Sequence, residues 1–191
     1  MRASTPEAAL RAGGTVLLPT DTVYGVAVIP TVAGAAQRLF DLKGRGRHIP
    51  IAVLVADAEQ AWTIARRPVP EEALRLAARF WPGALTIVVA RDPDWPGDIG
   101  DGMETVGVRC PDHDLVRRLC RDVGPLATTS ANRHGHPTPA TAAEAAAVLG
   151  AVDVIIDGGL LPGRASTVVD CSVHPPAIIR EGAIPAAEVL A

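Results

Sequence analysis

Thr15-Val16-Leu17-Leu18-Pro19-Thr20-Asp21-Thr22-Val23-Tyr24-Gly25 is the stretch that sets the architecture. Thr15 to Leu18 reads as a short, fully buried strand stopped by Pro19, and Tyr24 to Ile29 reads as a second strand. Between them lie two hydroxyls and a carboxylate, Thr20, Thr22 and Asp21. A polar segment at the end of a buried strand is where open α/β sheets place ligands. By pattern alone the same segment is also a tight turn whose Asp and Thr bond their own backbone.

Outward from this stretch, apolar runs and punctuation alternate. Ser4 with Glu7 has capping-box spacing, with Pro6 in the first turn, and the helix it opens should stop at Gly13-Gly14. Thr31 is placed to cap a helix through Leu42. Ile51 to Val55 is a strand, and Asp57 and Pro70 open two helices. Leu85 to Ala90 and Thr105 to Arg109 are strands separated by a Pro-, Gly- and Asp-rich loop. A helix over 112–122, a strand from Leu126 to Thr129 and an Ala-rich helix between Thr141 and Gly150 follow. Val152–Ile156, Thr167–Asp170 and Ala177–Arg180 are late strands, and Pro185–Leu190 is a short helix. The pattern predicts an α/β fold: one domain over 1–191, with a large twisted mixed sheet flanked by helices. It leaves strand order open.

Composition narrows the functions. A chain of 191 residues, 48% hydrophobic and 20% charged, suits an ordinary globular protein. The formal net charge of -3 argues against a global nucleic-acid coat, so any anion site must be a local cluster of cations. The cysteines, Cys110, Cys120 and Cys171, form no CxxC pair and are read as free thiols. No metal site is expected: His134 and His136 have no third ligand nearby in sequence. Without a signal-peptide core or an apolar run of membrane length, the reading is a cytoplasmic protein with no membrane contact.

Three further polar segments stand out. Lys43-Gly44-Arg45-Gly46-Arg47-His48 packs three fixed cations into a Gly-rich loop after a helix. That suits a polyphosphate, although a solvated basic loop has the same composition. It is no Walker A loop, since GxxxxGK[ST] is absent. Thr128-Thr129-Ser130-Ala131-Asn132, with Thr138 downstream, offers neutral donors and acceptors at a strand end. Gly163-Arg164-Ala165-Ser166-Thr167 and Arg180 supply a fourth polar patch. Neither a carboxylate pair nor a Ser-His-Asp order supports a hydrolase.

Together these segments resemble the YrdC/TsaC-like threonylcarbamoyl-AMP synthases. Pro19 to Gly25 resembles the family's PT(E/D)TVYG, Lys43-Gly44-Arg45 its KxR and Phe80-Trp81-Pro82-Gly83 its FWPG. Val106 to Arg109 is similar to its VAVR, Ser130-Ala131-Asn132 to its SxN, and Asp157-Gly158-Gly159 to its DGG. Ser166 to Asp170 resembles its STVVD and Arg180-Glu181-Gly182 its closing RxG. The resemblance runs from about Gly14 to Gly182. Departures are Ile49 and Leu54 in place of an Asn and a His, Ala165 in place of a Glu, Thr129 before the SxN, and the added cation Arg47.

The resemblance implies a sheet folded around a positively lined cavity, with no additional C-terminal domain. It implies L-threonine, bicarbonate or CO2, and ATP as substrates, and threonylcarbamoyl-AMP and pyrophosphate as products. Mg2+ would enter with ATP, and no tightly bound cofactor is expected. Partner proteins of a tRNA-modifying transferase complex would pass the group to an adenosine of tRNAs that read ANN codons, giving t6A; weak RNA binding is a further expectation. By the same resemblance, Lys43, Arg45, Ser130 and Asn132 are the expected catalytic residues, and Thr22, Arg109 and Ser166 hold threonine. Lys43, Arg45, Arg47, Thr105, Ser130, Asn132, Thr138 and Arg180 are expected at the nucleotide. Two alternatives remain at this stage: an RNA-binding module without this chemistry, which scarce aromatics disfavour, and a carbamoyl-adenylate-forming enzyme.

Overall fold

Alternation along the central strands decides what each face carries. In the computed structural model, which describes residues 5–133, 135–161 and 163–191, strand β5 (Thr105–Arg109) buries Val106 and Val108 on one face. It turns Thr105, Gly107 and Arg109 to the other. Strand β4 (Leu85–Ala90) does the same, with Leu85, Ile87 and Val89 inward and Thr86 and Val88 opposite.

The remaining strands are β1 (Val16–Leu18), β2 (Gly25–Val28), β3 (Ala52–Leu54), β6 (Leu126–Ser130), β7 (Val154–Ile155), β8 (Thr167–Asp170) and β9 (Ala177–Arg180). All nine form one mixed sheet in the order β7-β1-β2-β6-β3-β5-β4-β8-β9. The pairs β1·β7, β3·β5 and β4·β8 are parallel, and the others are antiparallel. Thus β5, which carries Arg109, lies near the centre, and its neighbours are fixed by Val53 opposite Val108 and Val88 opposite Gly107.

One face is covered throughout its middle. Helices α2 (Ala35–Lys43), α3 (Ala58–Trp62), α4 (Glu71–Phe80) and α6 (Ala142–Leu149) bury Leu39, Phe40, Ala61, Leu76 and Ala145 against it. The second face is covered only at one end, by α1 (Pro6–Arg11) and α5 (Asp114–Val123). There Leu10, Val116 and Leu119 pack on Val16, Leu18, Ala27 and Leu126. The uncovered remainder of that face is the floor of a cleft. A short helix, α7 (Ala186–Val189), closes the described chain.

The helix ends follow local chemistry, with two departures from the sequence reading. Asp57 caps α3 through Gln60 N, and Thr141 with Glu144 forms a capping box on α6. Thr5 caps α1 through Ala8 N, while Ser4 lies outside the described residues. Thr31 does not cap α2; a turn over 29–34 intervenes and Gly34 takes the N-cap. At its other end α2 stops at Gly44, whose φ of 57 returns the amides of Gly44 and Arg45 to the last-turn carbonyls of Asp41 and Phe40. That reversal sends Arg45 towards the sheet.

Fully buried Tyr24 ties β2 to the segment after β7. Its hydroxyl accepts from Gly158 N and donates to Gly159 O, both at 2.8 Å. Tyr24→Phe removes both bonds and should lower unfolding stability by about 1 kcal/mol, read as a reduced urea midpoint at unchanged slope.

Candidate functional site

The open face of the sheet forms a cleft of about 420 Å³, within the size range of small-molecule sites. Seven strands (β2 to β6, β8 and β9), the 19–24 segment and the loop after α2 line it. Its floor is made by the short side chains of Gly25, Ala52 and Gly107, which keep the sheet backbone accessible. Three arginines converge on it: Arg45, Arg109 and Arg180.

Arg109 is the most enclosed, with only 7% of its side chain exposed. Its Nε donates to Gly83 O (2.9 Å), one terminal nitrogen to Thr22 Oγ1 (2.9 Å) and the other to Asp21 Oδ1 (2.6 Å). Burial pulls its pKa below the usual value, while Asp21 acts the other way. The hydroxyls of this corner have a fixed sense. Thr20 Oγ1 donates its one proton to Val23 O, so in the 3.0 Å pair with Thr22 it is Thr22 that donates. Thr22 Oγ1, already accepting from Arg109, therefore presents only lone-pair capacity to a ligand.

Ser166 stands at the same end. Its hydroxyl pairs with Thr86 Oγ1 (2.8 Å), and its carbonyl accepts from Arg180 (2.8 Å). Arg180, at the rim, has its pKa lowered by partial burial and then by Arg109. The loop leading to Ser166 lies against Thr22: a Cβ on Gly163 would stand 2.1 Å from Thr22 O, so that contact requires glycine.

At the other end of β5, Arg45 donates to Pro50 O (2.7 Å) and, weakly, to Thr129 Oγ1 (3.4 Å). Its buried Nε has no partner among the described residues. Burial lowers its pKa. Thr105 and Ser130 line this end, and Asp170, held by Ser172 N and Oγ, brings a carboxylate. The distance from Thr105 to Arg109 is four strand steps, roughly 13 Å, so the cleft is elongated with cations at both ends.

Not every expected residue reaches the cleft. Lys43 is buried beneath it, its ammonium donating to the carbonyls of Ser130 and Asn132 and to Asn132 Oδ1. Asn132 is buried likewise. Arg47 turns away: it is paired with Asp98 (2.8 Å) and Asp101 (2.7 Å) and lies over the Phe40 ring. Those partners come from the 91–104 loop, whose pairing with Arg47 local sequence could not announce. Thr138 is half-buried outside the lining, and His134 lies outside the described residues. Thr86 was not singled out by its sequence, although the alternation of Leu85, Ile87 and Val89 places it on this face. The three cysteines are free and buried, with burial raising their thiol pKa values.

A half-open α/β sheet whose uncovered face gathers arginines and hydroxyls defines a class of protein whose cleft suits an elongated anionic small molecule. Comparison with known proteins gives the family: the chain belongs to the Sua5/YciO/YrdC family, whose model, described as "Telomere recombination", matches residues 8–182. The threonylcarbamoyl-AMP synthase of Pyrococcus abyssi is 39% identical over 183 residues, 94% of this chain and 54% of that protein. A Mycobacterium tuberculosis protein named for the same synthase is 40% identical over 181 residues, 92% of this chain and 82% of its own length. The structure of P. abyssi Sua5 complexed with L-threonine superposes with a TM-score of 0.90 at 38% identity, covering 96% of this chain and 54% of that one. The chain thus spans about half the length of the P. abyssi relative. Among the described residues no helix is long and apolar enough to cross a membrane, and no cluster of His, Cys, Asp and Glu is arranged to hold a metal.

Burial, and then the Arg45 charge, lower the Lys43 pKa from 10.5 to about 8. The folded chain therefore releases this proton first, and the group's contribution to stability rises with pH from about 8 to 10.5. Between about pH 8 and 10 the urea unfolding free energy of the parent should therefore rise more than that of Lys43→Met, which lacks this titration.

Proposed function

We propose that this chain is an L-threonylcarbamoyladenylate synthase, forming threonylcarbamoyl-AMP and pyrophosphate from L-threonine, bicarbonate or CO2, and ATP. Its product would supply a downstream transferase complex that makes t6A in tRNA. The observation that carries this reading is the convergence of Arg45, Arg109 and Arg180 on one elongated cleft, with hydroxyls at both ends. Names borne by relatives, among them the P. abyssi and Bacillus subtilis synthases, support the same activity.

The geometry suggests a division of labour. Arg109 presents the guanidinium edge left over from Asp21, Thr22 and Gly83 to the threonine carboxylate. Thr22 Oγ1 accepts from the substrate's hydroxyl or amine, and Ser166 borders the same pocket. Arg45, with Thr105 and Ser130, faces the nucleotide, and Arg180 stands over the space between the two ends. Mg2+ accompanies ATP as part of the substrate.

Threonine's neutral amine attacks CO2 and loses a proton, giving the carbamate. A carbamate oxygen then attacks the α-phosphorus of ATP. The bond from that phosphorus to the bridging oxygen breaks, and pyrophosphate leaves with the electron pair. Charge grows on the phosphates in this step, and fixed guanidinium groups stabilise it without reorganising. A recessed cleft also keeps the carbamate from bulk water.

Mass spectrometry after mixing the protein with Mg-ATP, threonine and labelled bicarbonate should detect labelled threonylcarbamoyl-AMP. Pyrophosphate release that ignores threonine would point to another acceptor. Arg45→Ala and Arg109→Ala should each lower kcat/KM by about tenfold or more, the cost of a lost charge-assisted hydrogen bond. The Arg45 change should fall on ATP and the Arg109 change on threonine. Activity within about threefold of the parent for both variants would overturn the assignment.

A further inference from the structure

The segment Ser130-Ala131-Asn132 and the end of α2 meet in a hub in which every proton is accounted for. Lys43 has three ammonium protons and three acceptors: Ser130 O (2.5 Å), Asn132 O and Asn132 Oδ1 (3.0 Å). Asn132 is equally committed. Its Oδ1 also accepts from Ser130 Oγ (2.6 Å), and its Nδ2 donates to Arg133 O (3.0 Å) and His136 O (2.5 Å). Lys43 is only 3% exposed and Asn132 9%, and neither lines the cleft. A phosphate approaching Lys43 would have to displace a carbonyl that has no other cation.

The outer members of the same motifs differ. Ser130 and Arg45 line the cleft. Ser130 has spent its single proton on Asn132 Oδ1, so its oxygen offers lone pairs only. It can accept from a ligand donor, such as a ribose hydroxyl, and cannot donate to a phosphate oxygen. Arg45 retains unused donors, including the buried Nε without a partner among the described residues. It follows Lys43 by two residues, so anchoring Lys43 on β6 also fixes where Arg45 emerges.

We infer that Lys43 and Asn132 are positioning residues: they hold the turn after β6 against the end of α2, so that Ser130 and Arg45 face the ligand, and they do not contact the phosphates. This assignment rests on the reading of the cleft as an ATP site only for its kinetic consequence. The scaffold consequence is independent of substrate.

Amide hydrogen exchange on the whole chain without ligand, together with steady-state kinetics, tests it. Lys43→Met should speed exchange over 126–133 by about tenfold or more and lower kcat, with ATP KM changed by less than about threefold. Asn132→Ser, which leaves Lys43 its two backbone acceptors, should do the same more mildly, and it decides the matter if Lys43→Met does not fold. Arg45→Gln should leave exchange at the parent level and raise ATP KM. Parent-like exchange in Lys43→Met or, failing its folding, in Asn132→Ser overturns the proposal. So does a Lys43 defect confined to ATP KM. If the parent forms no threonylcarbamoyl-AMP, the exchange result alone decides, and the proposed function falls separately.

Discussion

Moving a guanidinium or ammonium group out of water costs several kcal/mol unless acceptors replace the lost hydration. Much of the local structure around the cleft follows from meeting that requirement at Arg109 and Lys43. Arg109 receives a carboxylate, a hydroxyl and a carbonyl from Asp21, Thr22 and Gly83. Lys43 receives three oxygens from Ser130, at the end of β6, and from Asn132 in the turn that follows. These acceptors lie far from their cations in sequence, so each buried charge also fastens a loop to a distant element. The 19–24 segment is drawn to β5, and the 130–132 turn to α2.

The sheet order makes this possible. With β5 near the centre and β6 two strands away across β3, Arg109 and Ser130 belong to one continuous face. Antiparallel β6 runs its hydroxyl-bearing end towards the start of β3, while β5 runs its arginine the opposite way. Polar groups therefore collect at both ends of one face, and small or aliphatic side chains occupy the middle. The helices on the opposite face supply the rigidity that such an open face lacks.

Much of this was legible from residue order. The alternation of Thr105 to Arg109 gave the strand and its two faces, and Asp57 and Thr141 marked helix starts that the structure keeps. The polar segments at strand ends, with Thr22, Arg45, Arg109, Ser130, Ser166 and Arg180, were visible as candidates and do line one cleft. What could not be read was pairing across long separations. Arg47 looked like a third phosphate cation until Asp98 and Asp101, more than 50 residues away, are seen to hold it. Lys43 carried the same charge signal as Arg45, and nothing local distinguishes an ammonium capped by three carbonyls from one left for a ligand. Thr86 passed unnoticed because a lone threonine in an apolar strand acquires meaning only when Ser166 arrives beside it.

The net charge makes the same point from another side. A chain with a formal charge of -3 still builds a cationic cleft, because what matters is which charges are neutralised locally. Arg38 is paired with Asp153 and Arg75 with Glu72 at the surface, and both partners in each pair remain partly in water. In the cleft, Arg45 and Arg180 have no carboxylate partner among the described residues, and Arg109 adds to the burial that lowers the Arg180 pKa. Crowding of like charges is unfavourable by itself and would be relieved by a bound anion. Like charges gathered on one face would thus favour a polyanion, while Asp21 and Thr22 hold Arg109 in place.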